Sequence, residues 1–232
     1  MPSEDAAAPA TNIVVRRLGR RPYAGVYAAM QRFTHSRTET TADEVWLVEH
    51  ESVYTLGKSP IIGEERRSIH GIEVVAVDRG GDITYHGPGQ IVLYPLIDLR
   101  RRGLFVREYV KLIEKAVIET LLHYGIDALV HPEAPGVYVQ CAGGAGKFAG
   151  LEKIASLGVH VSRGATYHGL ALNVAMDLSP FSWISPCGYR QLRVTDMRTL
   201  GCEASLEAVA DVLLNRLLTL FNQHALEHNH GH

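Results

Sequence analysis

Residues 79–90 read RGGDITYHGPGQ, and four of these twelve positions are glycine. One proline joins them, and Arg79 and His86 frame the first half. Glycine at this density lets a backbone approach a ligand closely or take positive φ without a Cβ penalty. Composition alone reads the stretch as two tight turns about a short strand, and its charged and aromatic residues add a binding reading. Its flanks decide the architecture. Residues 73–78 run into it as a strand, while residues 91–97 leave it as a nearly continuous apolar strand, the pattern of a buried central position.

Upstream, residues 13–18 suit an edge strand. A helix starts at Pro22 and places Tyr23, Val26, Tyr27, Met30 and Phe33 at helical spacing. Residues 44–49 and 53–56 read as two further strands. Downstream, residues 106–123 form the clearest helix, with Tyr109, Leu112, Ile113, Ala116, Val117 and Leu121 on one face. Strands follow at 136–139, 154–160 and 170–174. Ser205 caps a last helix whose stripe is Leu206, Val209, Leu213, Leu217 and Leu220. Strands dominate the middle and helices interrupt them irregularly. That predicts an α+β fold, a single domain with a central mixed β-sheet flanked by helices. Its expected limits are residues 12–224, after a disordered leader (1–11) and before a histidine-rich flexible tail (225–232).

The chain has 232 residues, 46% of them hydrophobic and 21% charged, with a net charge of −2. This balance carries no broad basic footprint, so neither nucleic acid nor an anionic membrane is an expected partner. The first ten residues carry acids where a signal peptide carries bases, and no apolar run is long enough to span a bilayer. Three cysteines at unpatterned spacing point to a reducing compartment, with the cytoplasm as the expected location.

The GGAGK run at 143–147 imitates a phosphate loop and fails its test. Cys141 stands where the first glycine belongs, and Phe148 replaces the magnesium-binding hydroxyl. Val92 likewise occupies the third glycine position of a dinucleotide fingerprint beginning at Gly87. Residues 140–152 are better read as a flexible hairpin loop. Twelve histidines are present, yet no HExxH or CxxC occurs, so no metal and no cofactor is expected. Cys187 lies between Pro186 and Gly188, a setting that suits an exposed nucleophile as well as simple burial. Lys153 leads into a largely apolar strand, a setting that suits a partly desolvated amine able to exchange protons as well as a solvated strand-entry lysine.

Four motifs occur in a telling order: RGGDITYHGPGQ at 79–90, KIASLGV at 153–159, HGLALNV at 168–174 and PCG at 186–188. Together they resemble the lipoyl(octanoyl) transferases. EHESVYTLG at 49–57 resembles that family's upstream segment, with Glu51 where proline is expected. The resemblance extends from about Ile13 to the final helix. It implies the catalytic-domain fold of biotin and lipoate protein ligases. It also implies transfer of an octanoyl group from octanoyl-acyl carrier protein to a lysine of a lipoyl domain or the glycine-cleavage H protein, the first step of endogenous lipoate synthesis. By the same resemblance Cys187 is the nucleophile, forming a thioester intermediate, and Lys153 its partner. Substrate contacts fall on Arg79, Gly80, Gly81, Asp82, Ile83, Thr84, Tyr85 and His86, on Ser156, Leu157 and Gly158, and on Gly169, Leu170 and Ala171. Lys147 sits in the glycine-rich loop, but KIASLGV carries the family pattern, so Lys153 is preferred. The competing readings are an ATP-dependent lipoate ligase of the same fold, a non-catalytic carrier- or lipoyl-domain-binding protein, and a cysteine hydrolase.

Overall fold

The computed structural model describes residues 12–58, 67–142, 146–184 and 192–229. Its strands, in chain order, are β1 (Ile13–Arg21), β2 (Asp43–His50), β3 (Val53–Leu56), β4 (Ser68–Ile69), β5 (Ile72–Ala76), β6 (Ile83–His86), β7 (Gln90–Leu96), β8 (Ala128–His131), β9 (Ala134–Gln140), β10 (Leu151–Ser162), β11 (Ala165–Asn173) and β12 (Arg193–Val194). The helices are α1 (Tyr23–His35), α2 (Val106–His123) and α3 (Leu206–Asn229).

The large sheet has the order β1-β2-β7-β11-β10-β9-β8, with β12 added beside β10. β1 runs parallel to β2 and β12 parallel to β10, while the other pairs are antiparallel, so the sheet is mixed as expected. The apolar strand after the glycine-rich stretch, β7, is central and buried throughout. Its period of two divides the layers. Ile91 and Leu93 face the core shared with α2 and α3, and Val92, Tyr94 and Leu96 face the core shared with α1. A smaller sheet, β4-β5-β3-β6, encloses a third core around Tyr54, Ile83, Tyr85 and Phe181.

The helices form where the apolar spacing places them. Tyr109, Ile113, Ala116, Val117 and Leu121 of α2 are fully buried against the sheet, and each large one contributes about 1.5–3 kcal/mol of burial. The Glu108 carboxylate accepts the Phe105 N–H at the start of α2 at 2.9 Å. Ser205 caps α3 as expected, its hydroxyl accepting the Ala208 N–H at 3.2 Å.

Several boundaries differ from expectation: β1 runs on to Arg21, β10 starts at Leu151 and β11 at Ala165, and β8 was not foreseen. β5 ends at Ala76, so Asp78 is not in a strand; its carboxylate turns to accept hydrogen bonds from Tyr167 and His168 of β11. α3 continues to Asn229, so the segment expected to be a flexible tail from residue 225 starts as helix. Ala225 is still buried, which gives the extra turn a packing reason. The predicted leader, residues 1–11, lies outside the described residues.

Candidate active site

The glycine-rich stretch, β10 and β11 converge on one cavity. Its lining includes Arg79, Gly80, Gly81, Asp82, Ile83, Thr84 and His86 from the stretch, Lys153, Ser156, Leu157 and Gly158 from β10, and His168, Gly169, Leu170 and Ala171 from β11. Lys153 and all but one of the expected substrate contacts are therefore brought together. Tyr85 is the exception. Its ring packs instead against Tyr54 and Phe181, with its hydroxyl 2.9 Å from Ser52. Cys187 and its PCG motif lie outside the described residues, as do residues 143–145 of the GGAGK run. The ends of that loop make the expected hairpin: β9 and β10 pair antiparallel, and the Cys141 N–H donates to the Gly150 carbonyl.

Lys153 reaches this cavity because of its place in β10. Its neighbour Ile154 belongs to the core beneath the sheet, so Lys153 points to the opposite face, toward the cavity. Lys153 is 2% exposed, its Nζ donating to the Pro135 carbonyl at 2.9 Å. Its backbone is paired with Tyr138 of β9 on one side and Val194 of β12 on the other. Two ladders hold the strand that aims the amine.

The wall opposite is polar and buried, with Arg79 as its cation. Gln90 donates to the Tyr85 carbonyl and to Asn173 Oδ1, leaving its own oxygen to accept from His86 Nδ1 at 2.7 Å. Arg79 donates twice to the Thr55 hydroxyl, which faces His86 Nε2. On the far side Asn173 donates to the Thr195 carbonyl, and the Thr195 N–H donates to the Lys153 carbonyl. One directional chain thus links Arg79 to the backbone of Lys153. Burial pushes His86 down to about 3 and His50, its neighbour in an edge contact, down to about 4. Both are neutral imidazoles at physiological pH. His50 Nδ1–H donates to the Arg21 carbonyl, so its Nε2 accepts from Tyr94 at 2.8 Å.

Asp78 anchors the adjoining corner. Burial pushes its carboxyl up, but hydrogen bonds from His168, Tyr167 and Tyr27 outweigh that and hold it well below the usual range. His168 takes φ +60°, an uncommon backbone state for a non-glycine residue, to make this contact. Gly89, in the turn before β7, has φ +85° and packs so that a Cβ would stand 2.0 Å from the Ala175 carbonyl oxygen, which no other residue type accommodates.

Tyr23, Val92, Tyr94 and His168 also line the cavity and were not among the expected contacts. The HGLALNV motif begins on His168, which was the available signal for that residue. The α1 stripe and the period of β7 imply burial for the other three, with no hint of what they face.

The arginine triplet 100–102, open to reading as a docking face for an acidic carrier, has another use. Arg101 and Arg102, with Arg37, converge on the buried Asp43 carboxylate. Arg100 is the member left largely exposed.

Residues 22–218 match the family model for the lipoyl protein ligase A/B catalytic domain. Among curated proteins, an octanoyltransferase of Azoarcus sp. (strain BH72) is 51% identical over 93% of this chain and 90% of its own length. One from Polynucleobacter necessarius subsp. necessarius is 50% identical over 88% and 95%. Among solved structures, the bipartite lipoate protein ligase of Thermoplasma acidophilum aligns with a TM-score of 0.66 at 17% identity, covering 93% and 92% of the two chains. A lipoate-protein ligase A bound with ATP aligns with a TM-score of 0.64, also at 17% identity, over 93% of this chain and 92% of its own. These likenesses show the expected fold. The family match over most of the chain, with two relatives at half identity, establishes that this chain belongs to the lipoyl protein ligase A/B catalytic domain family.

Proposed function

We propose that this protein is an acyltransferase of lipoate biosynthesis, moving an octanoyl group from octanoyl-acyl carrier protein to a lysine of a lipoyl domain or of the glycine-cleavage H protein. The observation that carries this is the shared cavity: Lys153 and the motif residues of three separate segments line one slot, in a chain half identical to octanoyltransferases.

In this reading the Cys187 thiol gives its proton to Lys153 and its sulfur attacks the thioester carbonyl of the donor. The tetrahedral intermediate collapses, the C–S bond to the carrier breaks, and the carrier thiolate takes the proton back from Lys153. The acceptor amine then attacks the octanoyl-cysteine. Lys153 removes the excess proton, and Cys187 leaves as thiolate. Gly158 and Gly169 stand opposite each other in the β10–β11 ladder and both border the cavity, which supports their backbone as a source of oxyanion donors. His86, buried and neutral, serves as wall and not as acid, with His50 packed beside it. The reaction needs no nucleotide and runs in the cytoplasm, where both carrier and acceptor are found.

The test is transfer from octanoyl-carrier protein to a lipoyl domain without ATP. Strict dependence on ATP and free octanoate would point to a ligase, and release of octanoate to water would point to a hydrolase.

A further inference from the structure

The strand beside Lys153 is built around that side chain. β9 begins Ala134-Pro135-Gly136, and the Pro135 carbonyl accepts from Lys153 Nζ. Nζ also lies 5.5 Å from the centre of the Tyr138 ring, two residues farther along the same face. The Tyr138 hydroxyl donates back to the Ala134 carbonyl at 3.1 Å, tying the start of the strand to its middle. Between these anchors Gly136 has φ +143°. A Cβ there would stand 2.4 Å from Lys153 Cε, 3.0 Å from Nζ and 2.8 Å from the Ala155 carbonyl oxygen. The β9–β10 register also slips between Lys153 and Ala155, a bulge of the kind that re-aims a side chain.

The Pro135–Gly136 peptide has a second partner. Its N–H, on Gly136, faces the Glu114 carboxylate of α2, drawing that carboxyl down against the burial that pushes it up. One peptide unit thus lies between a carboxylate and an amine.

We propose that Gly136 is a positioning residue for Lys153: its missing side chain makes the space in which the amine folds over the strand, and its peptide, braced by Glu114, fixes where that amine points. This rests on the reading that Lys153 works in the transfer. A methyl group there would press on both the amine's stem and the Ala155 carbonyl, so the lysine must shift from its present seat.

The experiment compares variants of the full chain, with octanoyl-carrier protein as donor and a lipoyl domain as acceptor. Gly136→Ala is expected to lower kcat about tenfold or more with KM for both substrates unchanged, the pattern of a misplaced catalytic group. Lys153, buried in the parent, is expected to become reactive toward an amine-specific reagent, read by peptide mass spectrometry. A folded Gly136→Ala protein with parental kcat and an unreactive Lys153 would overturn the proposal. Glu114→Leu provides an arm that does not strain the backbone; it should lose about threefold to tenfold in kcat. Glu114→Gln, which keeps a polar oxygen facing the Gly136 N–H, should recover it. Equal kcat in the parent, Glu114→Leu and Glu114→Gln also overturns the proposal, even where Gly136→Ala does not fold. Lys153→Ala separates the two levels. If it transfers at the parental rate, the role of the lysine falls; if it is inactive while Gly136→Ala and Glu114→Leu are unaffected, the seat alone falls.

Discussion

Two charged side chains are buried to the same degree in this sheet: Asp43, at the start of β2, and Lys153, near the start of β10, each 2% exposed. Their surroundings differ. Asp43 is gripped by the guanidinium groups of Arg37, Arg101 and Arg102 and by the Asp98 N–H at 2.9 Å. These ion pairs join α1's exit, β2 and the loop after β7, away from the cavity lining. Lys153 rests on a backbone carbonyl and an aromatic face, with its amine at a cavity. Burial of a charge among opposite charges holds a fold together. Burial of an amine on dipoles beside an open slot suits a proton in transit. The same sequence signal, a basic or acidic residue next to an apolar strand, thus leads to two outcomes that only the partners separate.

Substitution breaks this comparison most sharply at the lysine. Lys153→Ala is expected to lower the transfer rate about 10²- to 10⁴-fold while leaving the melting temperature within a few degrees. Lys147→Ala should leave the rate unchanged. An inactive Lys147→Ala protein with an active Lys153→Ala partner would reverse the assignment.

Asp43→Ala should do the opposite. Three buried or half-buried cations lose their shared partner, at a cost of about 3–5 kcal/mol in denaturant unfolding, while the protein that remains folded keeps its kcat. A loss of activity without a loss of stability would place Asp43 in the site and not in the scaffold.

His86 of the cavity wall and its neighbour His50 give a smaller effect with a definite sign. His50 and His86 have folded-state values of about 4 and about 3, depressed by burial. The unfolded chain binds their protons near pH 6.5, where the native wall refuses them. Stability is therefore intact above pH 6.5 and falls as pH drops from there toward 4, by on the order of 2 kcal/mol per histidine at pH 5. Asp78, held low by its hydrogen bonds, adds a loss of the same sign below the ordinary carboxylate range. Urea unfolding at pH 7 and pH 5 checks the histidine contribution, and a flat profile contradicts their neutrality in the fold. The smallest effect belongs to Arg100→Glu. With Arg101 and Arg102 committed to Asp43, reversing Arg100 should leave KM for the carrier unchanged within about twofold.

Much of the fold was legible in the primary structure because period and turn chemistry agreed. The 91–97 run announced a two-faced central strand, and Ser205 announced a helix start. The lysine was legible through its motif, and the glycine-rich stretch proved to be cavity wall at all of its first eight residues except Tyr85. Tyr85 failed because a motif read as a block does not show that its ring is taken by Tyr54 and Phe181, packed against it from distant segments. Asp78 ended outside its strand because Tyr167 and His168, some ninety residues away, claim its carboxylate. Gly136 and Glu114 gave no local sign. Their importance lies in a distance to Lys153 or to its supporting peptide, which exists only after β9, β10 and α2 are packed together.

The central claim is that an octanoyl group passes through Cys187 with Lys153 handling the proton. Intact-protein and peptide mass spectrometry after exposure to octanoyl-carrier protein tests it most directly. The account predicts one octanoyl adduct on Cys187 that vanishes on adding a lipoyl domain, appears on the acceptor lysine, and forms far more slowly in Lys153→Ala. Undiminished octanoylation of the acceptor by a Cys187→Ala protein would contradict it.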